Sequence, residues 1–165
     1  MSLNNYLPHL LVIPEDDANR DIVTGFINHV SVNSRKIKVE NVAGGWKKAS
    51  DKFVEEYAGP MRKKFDKRHV LILIDLDSNT SRLKDEQDKI PEDLKDRVFV
   101  IGCQITPEKL SANLGGMSKE KIGEALADEC AGRDGTIWQS EMLAQNLPEL
   151  ERMRATIYPH LLFRT

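Results

Sequence analysis

The stretch HVLILIDLD, residues 69–77, decides how the rest of this chain is read. It is apolar without a break from Val70 to Ile74 and turns acidic only at Asp75 and Asp77. A strand with one wet face alternates, whereas an unbroken apolar run belongs to a strand covered on both faces, the central position in a parallel sheet. Parallel neighbours need helical crossovers, so strand and helix signals should alternate on either side.

They do. Upstream, HLLVI (residues 9–13) is a short apolar run, followed by Ile22, Val23, Phe26, Ile27 and Val30 at the spacing of a helix packed on a sheet. RKIKVENV (residues 35–42) alternates only partly, as an edge strand does, and Gly44 and Gly45 then mark a turn. In residues 46–67, Ala49, Phe53 and Tyr57 share a helical face, Trp46 reads as a core or hinge aromatic, and Pro60 predicts a kink or two short helices. Residues 78–96 read as a charged, solvated connection with a short helix starting at Pro91. RVFVIGCQI (residues 97–105) is the fourth strand. Beyond it only helices are predicted, over residues 107–114, 118–130, 137–146 and 148–158, with Ser118 as an N-cap.

The expected architecture is one α/β domain over residues 1–165. It is a compact three-layer Rossmann-like unit with a four-stranded, mainly parallel sheet in residues 9–105 and a helical C-terminal third, 106–165, packed on it. The apolar tail YPHLLF (residues 158–163) is expected to dock on its own domain or to contact a second copy or a partner protein. At 40% hydrophobic and 30% charged residues, the 165-residue chain can build a core, which argues against disorder. The net charge of -2 means that any grip on nucleic acid must come from a local basic surface. With no long apolar run and no basic leader, membrane spanning and secretion are not expected. Cys103 and Cys130 lack C-x-x-C spacing and read as buried thiols in a reducing compartment, so the expected location is the cytoplasm.

In sheets of this kind the order commonly reverses beside the first strand, making strands one and three neighbours roughly 5 Å apart with their carboxyl ends on one crevice. Glu15, just past the first strand, would then converge with Asp75 and Asp77, which point the same way as long as the backbone stays extended. Three carboxylates at that density suit Mg²⁺ or Mn²⁺. Without a cation, at least one should keep a proton near neutral pH. Asp16 and Asp17 lie where a helix begins; each could add a ligand or serve the helix start, and Asp17 is read as the cap. DLDSNTSRLKDE (residues 75–86) imitates a calcium loop, but Thr80 in the glycine place, Arg82 in the apolar place and a preceding strand argue against it.

A glutamate after strand one and an Asp-x-Asp after strand three, in residues 9–105, resemble the Toprim domain of primases, topoisomerases and overcoming-lysogenization-defect family nucleases. That resemblance implies divalent-metal phosphodiester chemistry on nucleic acid. Glu15 would be the acid/base residue and a metal contact, Asp75 and Asp77 the metal-binding pair, and Asn79 and Glu108 possible additions. Asp16 stands where that family usually has glycine, and Asn79 where a further aspartate is common. A second resemblance is to response-regulator receivers, through VIPEDDANRD and LILIDLDS. It implies Mg²⁺ on Asp16 and Asp17 and phosphorylation of Asp75, but needs a fifth strand ending in lysine, and none is predicted. A catalytically inactive binding or regulatory module is the third alternative.

Substrate contacts are not identified by the sequence. Arg62, Lys63, Lys64, Lys67 and Arg68 precede strand three and so belong at the edge opposite the acids; Lys47 and Lys48 follow the glycine turn. The four histidines lack zinc spacing, and no phosphate-loop motif is present.

Overall fold

The computed structural model describes residues 2–79 and 81–164, with Trp46 described by its backbone alone, so the expectations for the Trp46 ring and for Thr80 lie outside the described residues. The sheet has four strands, β1 (His9–Pro14), β2 (Ile37–Val39), β3 (Arg68–Asp75) and β4 (Val98–Cys103), in the order β2-β1-β3-β4, all parallel. β1 and β3 are neighbours, in register from His9 opposite Arg68 to Pro14 opposite Leu73. β2 is the short edge strand.

Helices cover both faces. On one side lie α1 (Asp17–Ile27), α5 (Pro107–Asn113), α6 (Lys119–Cys130) and α7 (Leu147–Thr156), around Leu10, Val12, Leu71, Phe99 and Ile101. On the other lie α2 (Trp46–Lys52), α3 (Ala58–Lys63) and α4 (Arg82–Asp88), around Leu11, Ile13, Val70, Ile72 and Ile74. The alternation of core sides along β1 and β3 is the period-two consequence of the strand. α1 and α6 touch backbone to backbone: a Cβ on Gly25 would stand 1.8 Å from the Glu120 carbonyl oxygen, and one on Gly123 1.8 Å from that of Ile22.

Four expected elements differ. In the charged connection the α-helix is α4, ahead of Pro91, and Pro91 instead starts a 3-10 segment (Glu92–Arg97). Val30 is 72% exposed because α1 ends at Ile27, before the last residue of its predicted stripe. Two short helices do precede β3, but the break lies ahead of Pro60; a π-turn (Phe53–Tyr57) joins α2 to α3, with the Ala58 N–H donating to the Phe53 carbonyl, and Pro60 itself lies within α3. Residues 137–146 are turns closed by a 3-10 segment (Ala144–Asn146) instead of an α-helix. Glu129 takes the N–H groups of Ile137 and Trp138 (3.0 and 3.2 Å), tying down the start of that segment, and Pro148 favours a fresh helix start at α7. Ser118 caps α6 as expected, accepting from the Lys121 N–H at 3.2 Å.

Among the described residues the outer edge of β4 has no neighbouring strand. Side chains from the start of α7 and the turn before it take that place. Glu149 Oε2 accepts from Val100 N (2.9 Å), Asn146 accepts from Gly102 N (2.9 Å) and donates to Gly102 O (2.7 Å), and Arg152 donates to Val98 O (3.1 Å). The C-terminal tail docks on its own chain: Leu161 and Leu162 are buried, and Phe163 bridges Val32. No helix is long and apolar enough to cross a membrane among the described residues.

Candidate metal centre

The site grows from the last turn of the β1–β3 ladder. Glu15 N donates to Leu73 O (2.9 Å), extending the parallel pairing one residue beyond β1, and Glu15 Oε2 accepts from Asp75 N (2.5 Å). The side chain of one strand end thus bonds the backbone of the other. Asp16 is the N-cap of α1: its Oδ1 accepts from the Asn19 backbone N–H (2.9 Å) and from Asn19 Nδ2 (3.0 Å). Asn19 Nδ2 also reaches Asp75 Oδ1 at 3.2 Å, so one buried amide bridges two acids.

Ligand oxygens of Glu15, Asp16 and Asp75 lie within 4.8 Å of one another. Asp75 is 7% exposed, and Glu15 and Asp16 are half-buried. Burial, reinforced by the charges of Glu15 and Asp16, pushes the Asp75 carboxyl up to about 7, despite the Asn19 bond that favours its ionised form. Burial also raises Glu15, aided by Asp16 and Asp77 and opposed by the Asp75 N–H. Beneath them the Cys103 thiol, paired in register with Asp75, is pushed up to about 11 by burial and by the Asp75 charge.

Asp77 does not join this group. The extended backbone ends at Asp75, and Asp77 and Ser78 adopt left-handed conformations with φ of 48° and 61°. Ser78 N is held by Gln104 O (2.7 Å) and Asn79 N by Leu76 O (2.8 Å), so the chain turns before the period-two argument can act. Asp77 instead pairs with Arg82 Nη1 at 2.9 Å, and Arg82 also donates to the Asp75 carbonyl at 3.0 Å. Asp16, not Asp17, is the cap; Asp17 is 73% exposed and pairs with Arg20. Asn79 accepts from Ser81 in an exposed turn, and Glu108 faces Lys119 at 3.6 Å.

Sequence reasoning missed Asn19 and Arg82. Asn19 sits three residues after a capping aspartate, the spacing at which a first-turn side chain can reach back to its cap, and that was the available signal. Gly44 N donates to Glu15 O (2.8 Å), which brings the glycine turn, and the exposed Lys47 and Lys48 after it, to the carboxylate end of the sheet. The other basic cluster lies at the opposite end, where Arg62 is bidentate to Asp93 and Arg68 is buried against His9.

Chemically, the donor set is three hard carboxylates with no imidazole or thiolate among them, which fits Mg²⁺ or Mn²⁺. Asn19 holds Asp16 and Asp75 in place through one oxygen each. Comparison with family models, curated proteins and solved structures gives no match.

Proposed function

We propose that the crevice between β1 and β3 holds Mg²⁺ or Mn²⁺ on Glu15, Asp16 and Asp75, and that the protein carries out nuclease-like phosphodiester chemistry on nucleic acid. The observation that carries this reading is the convergence of three carboxylates at one parallel strand junction, with Asp75 pushed up to about 7. Such repulsion is relieved when a cation takes the place of the proton. Asp16 replaces Asp77 in the ligand set expected from the Asp-x-Asp pattern. The bound ion would supply Lewis-acid polarisation of a phosphate. Glu15, its pKa raised by burial, is suited to hold and release a proton at its carboxylate. Lys47 and Lys48 stand at the same end of the sheet to meet flanking phosphates. Incubation with mixed DNA and RNA in Mn²⁺ should give cleavage that Glu15→Gln abolishes; no cleavage in the presence of tight Mn²⁺ binding would leave a binding or regulatory module.

A receiver-like phosphoacceptor is the second reading, favoured by the strand order and by the pairing of acids after β1 with Asp75 at the end of β3. Against it, side chains of α7 and its lead-in turn occupy the place beside β4 where a fifth strand would lie. A small phosphodonor with Mg²⁺ would add one phosphoryl mass at Asp75 on that reading and none on the first.

A further inference from the structure

The core between the sheet and α1, α6 and α7 holds a partly open cavity of about 90 Å³. Natural cores rarely leave voids larger than a water molecule. Leu71, Phe26, Leu126 and Met153 are among the side chains on its wall. The polar atoms that reach it are already engaged. Trp138 Nε1 donates to Leu126 O (3.1 Å), and the Tyr158 hydroxyl donates to Cys130 Sγ (3.2 Å). Asn19 Nδ2 is committed to Asp16 and Asp75, and Cys103 accepts from the Ile105 N–H.

Space for a few waters is present, since each needs roughly 30 Å³, but the two to four polar partners each would need are not on offer among the described residues. A dry apolar void of this kind takes up apolar molecules, as an engineered cavity of about 150 Å³ takes up benzene or xenon. A path also exists. Cys130, Trp138 and Leu150 line both this cavity and a surface cleft of about 430 Å³ bounded by Arg133, Glu151 and Arg154, so one layer of side chains separates the two. Trp138 belongs to the turn-rich segment between α6 and α7, not to a regular helix.

We propose that this cavity is a binding site for a small neutral apolar ligand, a single aromatic ring or a short branched alkyl group, admitted past Trp138 from the surface cleft. Charge is disfavoured because, among the described residues, no charged side chain lines the void. The cavity shares Asn19 and Cys103 with the floor of the carboxylate crevice, but none of Glu15, Asp16 and Asp75 lines it, and it does not depend on the metal reading.

The test uses the full chain and two probes, benzene and benzoate, followed by methyl NMR. Benzene should produce saturable, one-to-one shifts confined to methyls that line the void, Leu71, Leu126 and Met153 among them, with benzoate at least tenfold weaker. Absence of saturable benzene shifts, or equal response to both probes, would overturn the proposal. Val23→Ile, which adds a methyl group at a residue lining the void, should weaken benzene at least tenfold, and unchanged affinity in a folded variant counts against the site. Xenon uptake by the unaltered chain decides the matter should that variant not fold. A saturable xenon shift at these methyls supports the cavity, and a purely linear response with pressure refutes it.

Discussion

β1 and β3 bury polar side chains at both ends of their shared ladder, and the two ends are built on opposite principles. At the amino end, His9 lies opposite Arg68; Arg68 Nε donates to His9 Nε2 (2.9 Å), the His9 Nδ1 side meets Leu7 O (2.7 Å), and Arg68 also reaches Asn5 while stacking over Phe65. Arg68 Nε and Nη2 each have an acceptor, and burial together with the Arg68 charge lowers the His9 pKa. At the carboxyl end, Glu15, Asp16 and Asp75 are carboxyl groups of one kind, bridged among the described residues by the amide of Asn19 and backbone N–H groups, with Arg82 partly offsetting the charge on Glu15. One end pairs donors of one strand with acceptors of the other. The other stores repulsion that something positive must relieve, which is how polar groups arranged for binding differ from those arranged for folding.

The largest expected difference between the ends lies in their response to pH. Asp75 has a folded pKa near 7, above its ordinary value of 3.8, so its contribution to stability is full below about pH 4 and is lost as pH rises through 7. In chelator this costs up to about 4 kcal/mol. His9 runs the other way: its folded pKa is depressed, so its contribution is present above about pH 6.5 and is lost as pH falls. Urea unfolding from pH 4 to 8 should therefore show opposite slope changes in Asp75→Asn and His9→Gln, and parallel changes would erase the contrast.

Next in size is the effect of neutralising one acid. Asp75→Asn should weaken Mn²⁺ binding by at least about 100-fold, roughly 2.7 kcal/mol by calorimetry, while making the metal-free protein more stable at neutral pH. Unchanged affinity would remove Asp75 from the ligand set. The matching change at the amino end should act in the opposite sense. Arg68→Met strands the buried His9 Nε2 without its donor and should destabilise by about 2 kcal/mol in urea, with no effect on Mn²⁺. Smallest are the exposed lysines. Lys47→Ala with Lys48→Ala should lower the salt dependence of nucleic-acid affinity by about one unit per lysine and shift stability by less than about 0.5 kcal/mol; a salt slope identical to wild type would detach this turn from the crevice.

Much of the sheet was readable from apolar runs, because an unbroken stretch such as residues 70–74 has few places to go except a covered central strand. The adjacency of β1 and β3 followed from crossover rules, and so did the meeting of Glu15 with Asp75. Asp77 was misplaced because period-two reasoning presumes extended backbone, while the turn there is set by Gln104 and Leu76, partners that a local reading cannot supply. Residues 137–146 have an apolar pattern compatible with a helix, yet Glu129 claims two of their N–H groups from another element. Asn19 looked like an ordinary helical polar residue until its amide was found between two acids.

The border of β4 carries one further consequence. A sheet margin closed by amide and carboxylate groups can be uncovered one backbone unit at a time, unlike a margin closed by a whole strand. Losing the Asn146 carboxamide would bare the N–H of Gly102, while its C=O kept the Gln145 Nε2 donor (2.7 Å). The bared N–H would then be met most readily by the same strand of a second molecule. Self-stacking into insoluble assemblies, more than simple unravelling, is the failure this molecule is built to prevent at that margin.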